Sequence, residues 1–232
     1  MLLLVDKPTG ITSYDIIRVL KKKFPWEKIW HAGTLDPLAT GAMLIWIGKD
    51  TKRLTELTWK DKSYITTIDF SQDSDTRDID YRDYLESILI HSSDWRTNKQ
   101  WQKISLPSLK EIEQKLQELI PEKELPLTPF SAKKVAGKKL YEEARKWNII
   151  STNKIMSTQS FEIVSYEFPI LTVKLTVWSG TYIRSIAHWL GSEFGMGGIL
   201  TTLRRISIDK WSIWDICKSS DRDNLAYEEI FL

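Results

Sequence analysis

Eleven residues, HAGTLDPLATG from His31 to Gly41, crowd polar groups into a stretch with neither helical nor strand periodicity. Asp36 lies between a leucine and a proline, with His31, Gly33 and Thr34 just ahead of it. Asp-Pro alone is an ordinary turn former or helix cap. Here the glycines at 33 and 41 free the backbone to bend and to approach a ligand closely, and a loop of that kind positions functional groups more often than it packs. A second concentration lies at 131–146, where Lys133, Lys134, Lys138, Lys139, Arg145 and Lys146 face only Glu142 and Glu143. Such a patch can contact phosphates and would then weaken with salt, or it can be a solvated charged face. His31, His91 and His188 have no metal-ligand spacing, and the single cysteine, Cys217, leaves no cysteine-based zinc site. No metal or cofactor is expected.

The elements that must hold these groups follow from periodicity. Residues 1–5 read as a buried strand, DKPTG as a turn, and Ile16, Ile17, Leu20 and Phe24 as the apolar face of a helix behind a Thr12/Ser13 start signal. MLIWI (43–47) is a short apolar run and YITTIDF (64–70) alternates like a strand with one wet face. Residues 71–106 are polar without a sustained period and suggest an insertion. Ser108 and Glu111 form a capping box ahead of Leu109, Ile112, Leu116 and Leu119, with Pro121 as the stop. LTVKLTVW (171–178) alternates as a strand; Ile183, Ile186, Ala187, Leu190 and Phe194 line a helix that GMGG terminates. Strands outnumber helices without regular alternation, so the expected class is α+β.

Bulk properties narrow the partners. Lys plus Arg number 33 against 31 Asp plus Glu, a formal charge of +2, so a polyanion must be met by local patches. One cysteine fits a reducing cytosol, and the apolar MLLLV start is too short for a signal peptide or membrane span. A cytoplasmic protein is expected.

His31 to Gly41, continuing to Lys52, resembles the catalytic motif of the TruB family of tRNA pseudouridine synthases. The match covers His31, Gly33, Leu35, Asp36, Pro37, Ala39, Thr40, Gly41, Gly48, Thr51 and Lys52. DKPTGITS (6–13), KSY (62–64), SAKKVAGKKLYEEAR (131–145), SGTYIRS (179–185) and LRR (203–205) resemble further family segments in the same order. The chain departs from the pattern at Phe70-Ser71, at Ser74-Asp75-Thr76, at Leu127-Thr128, at Ile199, and at His188-Trp189, where the family usually has an acidic pair.

The resemblance implies a pseudouridine synthase fold, a central mixed and mostly antiparallel sheet flanked by helices and loops. It implies one catalytic domain over residues 1–232, an RNA-gripping insertion at about 71–150, and no C-terminal PUA domain. It assigns the catalytic nucleophile to Asp36, the aromatic platform for the flipped uracil to Tyr64, and a place near the vacated stack to His31. Arg184 becomes the partner of the catalytic carboxylate and Leu200 an apolar contact of the uracil pocket, while the lysine-rich segment would grip the T-arm. Taken singly, Tyr64 reads as a strand tyrosine, Arg184 as a surface cation and Leu200 as a core leucine. The implied activity is isomerisation of the T-loop uridine of tRNA conventionally numbered 55, by a monomer with no protein partner. Two other readings are a synthase aimed at another RNA uridine and a tRNA-folding module without catalysis.

Overall fold

The computed structural model describes residues 1–53, 58–74, 76–78, 106–131, 133–135, 137–144, 146, 148 and 150–216. Eleven strands alternate irregularly with short helices among them. The strands are β1 (Leu2–Lys7), β2 (Ile29–His31), β3 (Thr40–Ile47), β4 (Lys62–Asp69), β5 (Glu122–Pro126), β6 (Lys134–Val135), β7 (Lys138–Lys139), β8 (Asn153–Glu167), β9 (Ile170–Val177), β10 (Ile199–Ile208) and β11 (Trp211–Ser212). The helices are α1 (Ser13–Lys23), α2 (Leu109–Gln117), α3 (Leu140–Ala144), α4 (Ile183–Glu193) and α5 (Ile213–Ile216), with a 3-10 turn at Gly48–Arg53. The main sheet has the order β1-β3-β10-β4-β9-β8-β5, with β2 on β3 and β11 on β10, while β6 and β7 form a separate hairpin. β3 and β10 run parallel, whereas the pairs β1–β3, β2–β3, β10–β11 and β5–β8 are antiparallel.

The contacts divide into two compact units. One comprises Met1–Ile65, Lys174–Ser179 and the chain from Thr202; the other comprises Thr66–Val173 and Gly180–Thr201. Strands β4, β9 and β10 each contribute residues to both.

In the first unit, α1 begins where the sequence places it. The Thr12 hydroxyl accepts from the Asp15 amide, and the Asp15 carboxylate accepts from the Thr12 amide. Ile16, Ile17 and Leu20 are buried on one face of α1. Leu4, Ala32, Ala42, Leu44, Ile208 and Ile213 form a cluster that joins β1, β3 and the end of β10. Arg204 and Arg205 of β10 stand opposite Thr40 and Gly41 of β3. A Cβ on Gly41 would lie 2.2 Å from the Arg205 carbonyl oxygen, and its φ is +104°, so only glycine fits this crossing. The same unit buries three cations, Lys7, Lys62 and Arg205, at 0%, 5% and 1% exposure.

In the second unit, Ser108 and Glu111 close the expected capping box on α2. That helix ends at Gln117, three residues before the proline-based expectation. The amides of Glu118, Leu119 and Ile120 turn to the carbonyls of Lys115, Leu116 and Gln117, tightening the last turn before Pro121 is reached. Glycines follow α4 as expected: the Phe194 and Met196 amides both donate to the Gly191 carbonyl. β8 runs for fifteen residues with a mostly exposed or half-buried face.

Two outcomes follow from these packings. Gly41→Ala should lower stability by more than about 1 kcal/mol, whereas Gly10→Ala, at φ +82° with nothing within 4 Å of the added Cβ, should cost less; paired thermal melts measure the difference. The second concerns the buried amines. Burial is the main cause that lowers both Lys7 and Lys62 from the usual lysine value to about 8. Between pH 8 and the ordinary lysine range the unfolded chain therefore binds more protons than the folded one, and these groups make stability rise with pH. Lys7→Met and Lys62→Met should each flatten that rise, by up to about 1.4 kcal/mol per pH unit. Urea unfolding at pH 8 and pH 10 tests this, and slopes identical to wild type would reject it.

Candidate active-site loop and RNA-facing groups

The segment carrying Asp36 starts and ends in strands. His31 closes β2 and Thr40 opens β3, so the irregular part is shorter than the sequence suggests, residues 32–39. Pairing of β2 with β3 draws the two flanks together: Ile29 faces Ile47 and His31 faces Ile45. Leu35 and Ala39 are fully packed beneath the loop while Asp36 is half-buried between them.

The loop is held mostly through its carbonyls, by residues from the start of the chain. The Ser13 hydroxyl donates to the Leu35 carbonyl at 3.0 Å and accepts from the Leu35 amide at 2.8 Å. The Gly10 amide donates to the Pro37 carbonyl at 2.9 Å, the Thr9 hydroxyl to the Leu38 carbonyl at 3.0 Å, and Lys7 Nζ to the Pro37 carbonyl at 3.2 Å. Asp36 closes a local turn, its carbonyl accepting from the Ala39 amide at 3.0 Å. The backbone on both sides of the carboxylate is therefore fixed by DKPTGITS. That gives the segment a physical task which the sequence alone showed only as a motif.

Cations surround the same loop. Arg205 Nε donates to the Ala42 carbonyl at 2.6 Å and its Nη2 to the Gly33 carbonyl at 3.2 Å, so one guanidinium ties down both flanks. Burial depresses Lys7, and the Asp36 carboxylate is the chief influence opposing that shift. Burial and then the Arg205 charge depress His31, which favours its neutral imidazole. The Lys62 Cε comes within 3.6 Å of where a Gly33 Cβ would be, and its ammonium donates to the Lys60 and Thr58 carbonyls. Tyr64 stands two residues along β4 on the face of Lys62 and is 7% exposed.

Arg184 and Leu200 belong to the second unit. Arg184 is no surface cation: it is buried in the first turn of α4. Its Nη1 donates to the Thr76 carbonyl at 2.9 Å, its Nη2 to the Phe130 carbonyl at 3.1 Å, and Asp78 Oδ2 lies 3.7 Å from Nη1. Leu200 is fully buried, with its amide donating to the Arg77 carbonyl and its backbone bridged to Asp78. Asp78 thus stands between the two.

The lysine-rich segment forms the β6–β7 hairpin and α3, with Lys134 opposite Lys139 and Gly137 in the turn. Lys133 and Lys138 are exposed. Glu143 takes up part of the charge: it receives the Asn148 amide at 2.8 Å and pairs with Lys146 at 3.3 Å and Lys138 at 3.8 Å, and these contacts hold its carboxyl below the usual range. Arg145 lies outside the described residues, as does most of 71–106.

Sequence reasoning carried Lys7, Lys62 and Arg205 only inside family-like segments, with no role of their own, and did not reach Asp78. The available signal was a cation at the inward position of an otherwise apolar strand, in LLLVDK and LRRISI.

A family model described as TruB family pseudouridylate synthase (N terminal domain) matches residues 21–183. The tRNA pseudouridine synthase B of Chlamydia abortus is 39% identical over 213 residues, covering 91% of this chain and 84% of that protein. That of Caldicellulosiruptor saccharolyticus is 36% identical over 230 residues, covering 99% and 73%. Among solved structures, a chain of a Cbf5-Nop10-Gar1 complex superposes with a TM-score of 0.65 at 21% identity, over 98% of this chain and 52% of that one. A chain of an H/ACA RNP bound to a substrate RNA gives 0.62 at 19%, over 98% and 51%. The chain spans about half the length of these solved chains, and the likeness concerns the fold, the α+β pseudouridine synthase fold. With its matched segment running through the Asp36 loop and up to the start of α4, the chain belongs to the TruB family of pseudouridylate synthases.

Proposed function

We propose that this chain isomerises uridine to pseudouridine in the T-loop of tRNA, at the uridine conventionally numbered 55, with Asp36 as the nucleophile. The observation that carries this is the loop itself: a half-buried carboxylate whose flanking carbonyls are fixed by Lys7, Thr9, Gly10, Ser13 and Arg205. A reactive group held that way meets its substrate without reorganising. The relatives that cover most of the chain are tRNA pseudouridine synthases, which supports tRNA as substrate.

The reaction cuts the N1 glycosidic bond, turns the uracil and rejoins it through C5. Asp36 can attack the ribose, attack the base, or remove a ribose proton to give a glycal; each needs an ionised carboxylate at the flipped nucleotide. Tyr64 supplies the aromatic face for the uracil, and a neutral His31 fills space beside the stack the base has left. Arg184 pairs with Asp36, its planar fork already ordered by the Thr76 and Phe130 carbonyls. Leu200 backs the apolar wall of the uracil site. Lys133, Lys134, Lys138, Lys139 and Arg145 hold phosphates of the T-arm. The protein acts as a monomeric single catalytic domain in the cytoplasm, with the insertion at about 71–150 in the RNA grip; among the described residues no helix is long and apolar enough to cross a membrane.

Asp36→Asn should reduce pseudouridine formation on an unmodified tRNA transcript by at least about a hundredfold while tRNA affinity stays within about threefold. Mapping the modified uridine in the wild-type reaction identifies the target position, and a fast Asp36→Asn enzyme would reject the nucleophile. Replacing Lys133, Lys134, Lys138 and Lys139 together by Gln should weaken tRNA binding and shallow its salt dependence, by about 0.7 to 0.9 in log–log slope for each phosphate no longer neutralised. Filter binding at low and high salt measures the slope; an unaltered value would make the hairpin a solvated face.

A further inference from the structure

Helix α1 starts against the Asp36 loop, where the Ser13 hydroxyl holds both the amide and the carbonyl of Leu35, and helix and loop belong to the first unit. Its outer face is left to solvent. Tyr14 is 60% exposed, and the Arg18 guanidinium, one turn further along, lies over its ring at 5.1 Å. Exposed Lys22 and Lys23 continue the face to the helix end, and exposed Lys28 follows in the connection to β2. Trp26, between them, is 96% exposed.

The turn that carries Trp26 is folded onto the helix end. The Phe24 amide donates to the Leu20 carbonyl at 2.7 Å, the Glu27 amide to the Phe24 carbonyl at 3.2 Å, and the Lys21 ammonium to the Glu27 carbonyl at 2.7 Å. From Arg18 to Lys28 the chain has five cations, Arg18, Lys21, Lys22, Lys23 and Lys28, against one carboxylate, Glu27. Arg18 pairs with Asp15 at 2.6 Å, whereas Lys22, Lys23 and Lys28 have no ion pair among the described residues. The hairpin lysines of the second unit differ, since Glu143 gathers Lys138 and Lys146.

Lysines in a last helical turn suit the helix dipole, but that requires neither Lys28 nor an indole standing wholly in water. Uncompensated cations around a bare tryptophan fit a partner that is both polyanionic and aromatic, with phosphates for the ammonium groups and an unpaired base for the indole to stack on. Along α1, Lys23 lies about 15 Å from Ser13 at 1.5 Å per residue, which is the length of about four stacked nucleotides at 3.4 Å each. RNA at Trp26 is therefore well removed from the nucleotide at Asp36. We propose that the outer face of α1 and the turn after it bind a part of the substrate RNA outside the loop that carries the target uridine, with Lys22, Lys23 and Lys28 on phosphates and Trp26 stacked on an unpaired base. The proposal rests on the RNA-isomerase function above and adds a second contact region on the same RNA.

Two RNAs separate this contact from the grip on the target loop: a whole unmodified tRNA transcript and the isolated T-arm hairpin cut from it. Full-length wild type, Trp26→Ala and the triple variant Lys22→Gln, Lys23→Gln, Lys28→Gln are compared on both by filter binding across a salt series. On the tRNA, Trp26→Ala should bind about tenfold more weakly, and the triple variant should lose affinity and shallow the log–log salt slope by about 0.7 to 0.9 for each phosphate released. On the hairpin both variants should match wild type, as should their single-turnover rates at saturating tRNA. The altered side chains are exposed, so thermal midpoints should stay at the wild-type value. Variants that bind the tRNA like wild type overturn the surface, and so do equal losses on tRNA and hairpin, which would place the contact in the target's own arm. A triple variant that keeps its RNA affinity but no longer sediments with phosphatidylserine vesicles, as the wild type then would, also overturns it and makes the face a membrane contact. A wild-type chain that binds tRNA without forming pseudouridine overturns the isomerase alone, and one that binds neither RNA overturns both.

Discussion

A single buried guanidinium sets the frame for the proposed chemistry. Arg205 reaches from β10 across β3 to the carbonyls of Gly33 and Ala42, one ahead of Asp36 and one behind it. Taking a cation out of water is costly unless its hydrogen bonds are met, and a carbonyl on each flank of the loop meets them. Arginine suits the place because its charge is permanent and its donors form a rigid fork, so the geometry persists at any working pH. Lys7 and Lys62, both brought down to about 8 by burial, lack that permanence. The close crossing at Gly41 completes the arrangement, since any side chain there would lever β3 away from the strand that carries Arg205.

The two halves of the proposed machinery use the same device. In the first unit Arg205 and the residues from Lys7 to Ser13 bind loop carbonyls; in the second, Arg184 binds the carbonyls of Thr76 and Phe130 and faces Asp78. Buried arginines here order irregular backbone, which has no ladder partner of its own to satisfy its polar groups. The exposed lysines of the hairpin work differently. Glu143 gathers Lys138 and Lys146, so the field offered to an RNA backbone is smaller than a count of basic residues suggests.

Much of this was legible in the amino-acid order. The Thr12 and Ser108 caps, the helices behind them and the alternating strands at 64–70 and 171–178 follow from local rules, and the structure has them. The Asp36 loop was visible because polar residues and glycines interrupt two apolar runs. Local rules failed where partners are remote. β2 is three residues long and exists because β3 pairs with it, which no window around Trp30 can show. Arg184, taken singly, reads as a surface cation, and only the tertiary fold reveals that carbonyls wait for it and for Arg205 inside. The end of α2 was misplaced because the proline marks where a helix cannot continue, while the carbonyls of Lys115 to Gln117 had already found nearer partners.

The parallel pairing of β3 with β10 joins residues about 164 positions apart, Thr40 with Arg204 and Gly41 with Arg205. During synthesis the Asp36 segment leaves the ribosome long before its guanidinium does. A nascent chain can form α1 and the β1–β3 pairing early, but the clamp on the loop waits until β10 has emerged and docked. Fragments cut short of β10 would keep the aspartate and lose its setting, so a truncated product is not an early-acting enzyme. The setting of Asp36 is thereby deferred until β10 has been translated.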